Sequence, residues 1–343
     1  MVPRGAAGRG DPVVLVGSHV DTVIEGGWLD GALGVAVGVH VVKEAAAHGG
    51  RPVGLVVFRD EEGVRFGTGL FGSKVFAGLC TEADLAATDD HGARVRDVVP
   101  DPDGCLGYRP PVPAAAYLEC HIEQGMRLIE SGRRVGVVTG IVGIRRLEVI
   151  AEGAANHAGT TEMHRRVDAL IPIATLVARL PSLVEGHADT VATCGRIAAH
   201  PGAANIVPGT ASAVIELRAP DAAALAALTN GLERLMSSLT PPTPDTRMAP
   251  LRLRPINDVA PTSTDPGLRE QLEAILSDRR LAFDRLYSMA GHDAQHAARV
   301  CPAGLFFIPS LEGISHSPGE DSRPEDIALA GELMLAWAQR CRQ

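Results

Sequence analysis

No hydrophobic run in the 343-residue sequence is long enough to span a bilayer: VGLVVF at 53–58 is among the longest, against the roughly 20 residues a spanning helix needs. The start, MVPRGAAGRGD, has no apolar core of the kind that marks a secretory signal. No two cysteines have C-x-x-C spacing. Cys80, Cys105, Cys120, Cys194, Cys301 and Cys341 are scattered, which argues against a disulfide framework and against a thiolate zinc site. No cluster of Lys or Arg offsets the net charge of -9, so the electrostatic footprint of a nucleic-acid binder is missing. Internal repeats and low-complexity tracts are absent too. These absences leave a cytoplasmic protein with reduced thiols and with neither nucleic acid nor membrane as partner. Its 45% hydrophobic and 21% charged residues are ordinary for a globular chain, and its length suits one large or two medium domains.

The chain opens with a βαβ rhythm. VVLV at 13–16 reads as a buried strand ending at Gly17. Residues 31–48 suit a helix with Val35, Val39 and Val42 at helical spacing, stopped by Gly49-Gly50. VGLVVF then reads as a second buried strand, and near-continuous apolar strands are the mark of a parallel sheet. The polar clusters at 17–21 and 59–63 fall at strand carboxyl ends, where open α/β sheets bind ligands. Residues 97–114 read as loop. From about residue 143 the texture changes. LEVIAEG and ASAVIELRAP alternate as half-exposed antiparallel strands do, and 169–180 and 221–239 look helical. Residues 240–250 read as a surface loop, 267–280 as a helix and GLFFIPS as another buried strand. The expected organisation is an α/β domain with a mixed, largely parallel sheet between helices, formed by 1–142 and 257–343. A smaller α+β domain, 143–256, is inserted into it.

A hydrolytic centre with two metals needs imidazoles and carboxylates, usually with one carboxylate bridging both ions. His19 ends the first strand, with Asp21 near enough to hold its second ring nitrogen and fix its tautomer. Asp30, in GGWLDG, reads either as a helix N-cap or as a bridging ligand, and the two readings are compatible. Asp60, Glu61 and Glu62 end the second strand. Neighbours in extended chain point to opposite sides, so one of Glu61 and Glu62 can bind metal while the other takes a proton. His121 and Glu123, then Gln124, follow in YLECHIEQG. His157 in NHAGTTEM reads as easily as a surface residue. His292 with Asp293, and His316 with Glu320, repeat the pairing of imidazole with acid. Each motif alone is weak. Together, His19, Asp30, Glu62, His121 and His316 make a two-metal set, whereas His40, His48, His91, His164, His187, His200 and His296 have no such framing and read as surface or core residues.

In this order, GSHVDTVIEGGWLDG, DEEGVRFGTGLFGS, HIEQGMRLIESG, NHAGTTEM, PGAANIVPG, ELRAPD, AGHDAQ and IPSLEGISHSPGE resemble the N-carbamoyl-L-amino-acid hydrolase family, which includes allantoate amidohydrolase and β-ureidopropionase. They run from residue 17 to residue 320. The resemblance implies two divalent ions, with zinc, manganese, cobalt or nickel all compatible with the donors. It places His19 and His121 on one ion, Glu62 and His316 on the other, and Asp30 between them. Glu61 would be the general base and Asp21 the partner of His19. His157, on the inserted domain, would stabilise the oxyanion. Gln124, Asn205, Arg218 and His292 would hold a small ureido acid, with Arg218 on its carboxylate. The inserted domain would serve as lid and homodimer contact. Members of the family carry a further strand and helices before the GSH segment, and Glu162 and Met289 stand where the family has proline and glycine. The implied activity is hydrolysis of an N-carbamoyl-L-amino acid. Alternatives are allantoate or another ureide as substrate, an aminoacylase or dipeptidase, and a non-catalytic member.

Overall fold

The computed structural model describes residues 11–47, 51–244 and 246–341. The chain divides into two compact units, Met1–Ile141 with Ser263–Gln343, and Val142–Thr262. Among the described residues no helix is long and apolar enough to cross a membrane.

The first unit is built on a seven-stranded sheet. Val13–His19 runs parallel between Val53–Phe58 and Ala114–Ile122, and Ala303–Ile308 runs parallel beyond Ala114–Ile122. Gly136–Ile141 is antiparallel to Ala303–Ile308 and parallel to Asp284–Ser288, so the sheet is mixed but mostly parallel. The apolar runs explain this. Val13 and Leu15 join Tyr117, Leu305 and Phe307 in one buried cluster, while Val14 and Val16 join Leu118, Phe306, Val37, Leu272 and Trp337 in another. Side chains alternate across a strand, so a strand apolar at every position needs cover on both faces. All seven residues of Val13–His19 are buried. Gly17 is required by this packing: a Cβ there would lie 1.8 Å from the carbonyl oxygen of Val56.

The first helix, Ala32–Ala46, has a different buried face from the one its valines predict. Leu33, Gly34, Val37, Gly38, Val41 and Ala45 are buried, whereas Val39 faces solvent. The helix presses its glycines onto the sheet: a Cβ on Gly34 would lie 2.4 Å from the carbonyl oxygen of Cys120. The Gly49-Gly50 stop, His48 and the first ten residues lie outside the described residues. The stretch 97–114, expected as loop, holds the end of the short helix Val95–Val98 and all of Pro102–Cys105. Asp101 caps the latter through Gly104 N, and Pro102 supplies a preset φ at its start.

The second unit is a four-stranded antiparallel sheet in the order Leu251–Val259, Gly143–Glu152, Thr210–Ala219, Val191–His200. Leu147, Val149, Ala213, Ile215 and Leu217 point to one face and pack with helices Leu170–Arg179 and Ala222–Ser237. Asp221 caps the second helix through Ala224 N. The opposite sheet face carries arginines and acids in cross-strand ion pairs. A short strand, Arg247–Met248, lies within the 240–250 segment expected as loop and pairs with Val167–Asp168.

Candidate metal centre

Parallel strands whose neighbours are all buried deliver their last residues to one edge of the sheet. His19 closes the first strand, Asp60–Glu62 follow the second, and His121 is the penultimate residue of Ala114–Ile122. Asp30 stands among them. Its Oδ1 is 3.0 Å from His121 Nε2 and 3.5 Å from His19 Nε2, and its Oδ2 is 3.2 Å from His316 Nε2. His316 Nε2 is also 3.3 Å from Glu62 Oε1. Two overlapping sets result, His19–Asp30–His121 and Asp30–Glu62–His316, sharing Asp30. Gly31, at φ +66°, lets the chain pass this close, since a Cβ there would fall 2.3 Å from the His19 ring.

The tautomers follow from the second ring nitrogens. His19 Nδ1 donates to the Asp21 carbonyl at 2.9 Å, and His121 Nδ1 donates to the Ile122 carbonyl at 2.8 Å. Both Nε2 atoms thereby face the Asp30 carboxylate, that of His121 also taking the Gly31 N–H at 3.3 Å. Lone pairs facing lone pairs repel unless a cation, a proton or a metal, sits between them. The buried atoms agree: Asp30 Oδ1, Glu62 Oε1 and Asp21 Oδ1 have no hydrogen-bond partner among the described residues. An unsatisfied buried carboxylate oxygen is costly, so the donor set fits divalent metal, which accepts imidazole and carboxylate together. The ionisation equilibria express the same pull. Burial opposes charge on His19, yet the Asp30 contact and the nearby Glu61 raise its pKa to about 11. Burial likewise resists the ionised form of Asp30, but His121, His19 and His316 hold its carboxyl far below the ordinary range.

Glu61 Oε2 lies 3.9 Å from His19 Nε2. Burial pushes its pKa well up, against the pull of His19 and with the push of Asp293, Glu62 and Glu119. Burial and the Asp30 charge raise Glu62 as well.

Several placements differ from expectation. Asp30 is not a helix cap: Gly31 holds that position, and the Asp30 side chain accepts from Gln124 Nε2 at 2.8 Å, with Ser315 Oγ 3.1 Å away. It is the carbonyl of Asp21, not its carboxylate, that holds His19. The carboxylate is 3.9 Å from Nδ1 and accepts instead from Glu62 N at 3.1 Å. The strand stops at His19, and the turn after it brings the main chain to the ring. The Gln124 amide, expected on a substrate, donates to Asp30. Glu123 lies past the strand end and accepts from Arg127 N and Leu128 N, both at 2.9 Å. His292 is buried, 4.6 Å from the His121 ring centroid and edge-on to it, with Nε2 2.8 Å from Ser288 Oγ. Burial and His121 hold its pKa well below the usual value.

Three acids complete the surroundings. Glu119, unremarked in the sequence, shares a strand face with His121. It accepts from Ser18 Oγ at 2.6 Å and Ala294 N at 2.8 Å. The period-two alternation of YLECHI was the signal that could have found it. Asp293 is fully buried, and burial with the Glu119 charge raises its pKa to about 8. Glu320 Oε1 accepts from Leu29 N and Asp30 N, both at 2.9 Å, and its Oε2 from Ser315 Oγ at 2.8 Å.

His157, Asn205 and Arg218 belong to the second unit. His157 pairs with Ile206 in a two-residue ladder, and the Asn205 carbonyl accepts from Ala158 N at 2.9 Å, so the first two are neighbours. His157 Nδ1 accepts from Gly159 N at 3.0 Å and Thr160 N at 3.2 Å, which puts the neutral ring's proton on Nε2. Arg218 lies on Thr210–Ala219 and is ion-paired to Glu216.

The chain matches the family described as Peptidase family M20/M25/M40 over residues 15–340. It is 34% identical over 330 residues to the N-carbamoyl-L-amino acid amidohydrolase of Geobacillus stearothermophilus, covering 94% of this chain and 80% of that protein. To the allantoate amidohydrolase of Escherichia coli (strain K12) it is 34% identical over 341 residues, covering 95% and 82%. Among solved structures, a hydantoinase/carbamoylase family amidase from Burkholderia multivorans superposes with a TM-score of 0.82 at 32% identity, covering 100% of this chain and 84% of that one.

Proposed function

The chain belongs to Peptidase family M20/M25/M40, and from that membership we propose that it is a metal-dependent amidohydrolase that removes the carbamoyl group of an N-carbamoyl-L-amino acid. The observation that carries the reading is the Asp30 carboxylate, faced by three imidazoles and by Glu62, with Asp30 Oδ1 and Glu62 Oε1 both buried and without a hydrogen-bond donor among the described residues. In this reading His19 and His121 hold one divalent ion, Glu62 and His316 a second, and Asp30 serves both. Bound there, the ions would polarise the ureido carbonyl and lower the pKa of the attacking water. Glu61 takes a proton from that water and returns it to the leaving nitrogen. His157 offers its Nε2 proton to the oxygen on which negative charge develops, and Asn205 stands beside it. Arg218 binds the substrate carboxylate through its planar guanidinium. Asp21 and Gln124 act on the centre through Glu62 N and Asp30, and His292 supports the His121 ring. Water adds to the carbonyl carbon and the bond to the terminal nitrogen breaks. Ammonia leaves, and the remaining carbamate releases carbon dioxide to give the amino acid.

A second reading, allantoate as substrate, is favoured by the equal identity to the allantoate amidohydrolase of Escherichia coli. Ammonia release on both substrates side by side, with chelator and with each metal restored, tests the proposal. Turnover of N-carbamoyl amino acids that chelation stops is expected. Faster turnover of allantoate would move the assignment to the second reading, and no turnover of any ureide by the metal-loaded chain would end both. The same reading gives the inserted segment the roles of lid and homodimer contact, and a monomer mass in sedimentation would remove the second role.

A further inference from the structure

We propose that Glu216 and Arg146 are positioning residues that fix the guanidinium of Arg218 for a substrate carboxylate, an inference that rests on Arg218 being the carboxylate-binding residue. Strand register brings the three together. Glu216 lies directly across from Arg146 in the antiparallel pair, and Arg218 is two residues further along the same strand, hence on the same face. Glu216 Oε1 accepts from Arg218 Nε at 2.8 Å and from Arg218 Nη2 at 2.7 Å, while Oε2 accepts from Arg146 Nε at 2.6 Å. Each oxygen is committed to one arginine, and the two contacts along one edge of Arg218 set the plane of its guanidinium.

The charges explain why a third residue is needed. Glu216 alone beside Arg218 would cancel the positive charge that draws an anion. Arg146 restores it, so the three side chains keep one net positive charge. Although burial disfavours the ionised form of Glu216, Arg218 and Arg146 hold its carboxyl below the usual range. A second Arg–Glu–Arg group on the same face has one loose arm: Arg254 holds Glu148 through both Nε and Nη2, but Arg196 stands off. Arg196 Nη2 is 3.8 Å from Glu148, and the Arg196 and Arg254 side chains are 67% and 66% exposed, against 44% for Arg146 and 26% for Arg218. What sets the Glu216 group apart is that both carboxylate oxygens are within hydrogen-bond distance of a guanidinium, which fixes the orientation of Arg218.

The test uses the full metal-loaded chain and two probes, an N-carbamoyl-L-amino acid and its carboxamide, which lacks the carboxylate. Glu216→Gln should raise KM for the acid about tenfold, with kcat within about twofold, and leave KM for the amide in place. Arg146→Gln should raise KM for the acid by a smaller factor, and Arg146→Lys should recover most of the parent value. Arg218→Gln is the reference. If Arg218→Gln raises KM for the acid but neither Glu216→Gln nor Arg146→Gln does, the positioning role is overturned and carboxylate recognition stands. If Arg218→Gln leaves KM for the acid unchanged, the underlying reading itself fails. Equal losses on acid and amide, or a fall in kcat alone, would mark a merely structural role and overturn the proposal.

Discussion

Asp30 and Glu216 are both carboxylates set among cationic or basic side chains, and the protein treats them in opposite ways. Asp30 has a side chain 2% exposed, three imidazoles near it and an oxygen with no hydrogen-bond donor. Glu216 is 21% exposed and has both oxygens filled by guanidiniums. The contrast extends to their surroundings. At the strand ends of the first unit, Glu62 also keeps a buried oxygen without a donor among the described residues. On the open sheet face of the second unit, Glu148, Glu152 and Glu216 are each matched by arginine. Buried charge left incomplete costs several kcal/mol and is kept where a ligand completes it. Charge already matched by arginine cannot take a metal, but it can hold a neighbour in place.

The largest effect should come from removing the carboxylate shared by both ligand sets. Asp30→Asn is expected to reduce ureide turnover to background and to lower bound metal, read by elemental analysis of the purified protein. Metal restored to the stripped parent should raise its thermal midpoint, by about 2.7 kcal/mol of stabilisation at a hundred times Kd. In Asp30→Asn most of that gain should vanish. A variant that still binds two ions would show that the orphaned oxygens are not what metal completes. Next in size is Glu61→Gln. Turnover should fall about 10²- to 10⁴-fold with metal content intact, because a general base is lost and no ligand is. Full turnover in this variant would remove Glu61 from the proton path.

Why the centre was legible from sequence, and where legibility stopped, is visible in single residues. His19, Glu61–Glu62 and His121 sit at or just past the ends of apolar strands, and parallel pairing alone gathers such residues at one edge. Asp30 was less determined, because an acid before a helix reads equally as a cap. Asp21 misled for a geometric reason. Spacing of two implies one face only while the strand continues, and this one ends at His19. The first helix was read out of phase because its contact face includes Gly34 and Gly38, which carry no hydropathy signal but allow the backbone to reach Cys120 and Leu55. Glu119 went unnoticed because a buried acid inside an apolar strand leaves only a period-two trace. For the second unit, the alternating strands were readable, but the pairing of Glu216 with Arg146 depends on cross-strand register, which connects residues 70 positions apart.

A smaller effect should separate hydrogen bonding from charge behind the metal centre. Glu320 holds the turn that presents Asp30, through Leu29 N, Asp30 N and Ser315 Oγ. Glu320→Ala leaves two buried N–H groups without an acceptor, costing about 1–3 kcal/mol each, and should weaken metal binding about 10- to 100-fold. Glu320→Gln keeps an oxygen for both N–H groups and offers its amide to Ser315 Oγ, which can then donate to Asp30 Oδ2. It should therefore stay near the parent in both thermal midpoint and metal affinity. If Gln proves as damaging as Ala, the negative charge of Glu320 matters more than its acceptors.

The smallest effect sharpens the comparison from the other side. Arg252 and Glu152 form an ion pair on the open sheet face, with side chains 63% and 54% exposed. Solvent screens such a pair, so Glu152→Gln should change stability by no more than about 1 kcal/mol, and by less in high salt. Its value lies in the kinetics. Glu152 and Glu216 are both acids paired with arginine on one face, but only Glu216 touches Arg218. If the arginines of that face attract anions collectively, neutralising either acid should change KM for a carboxylate substrate alike, and salt should abolish the change. If Glu216 works by orienting one guanidinium, Glu152→Gln should leave KM within about twofold of the parent, while the Glu216→Gln increase survives at high salt. Measuring both variants at low and high ionic strength distinguishes a charged surface from a positioned residue.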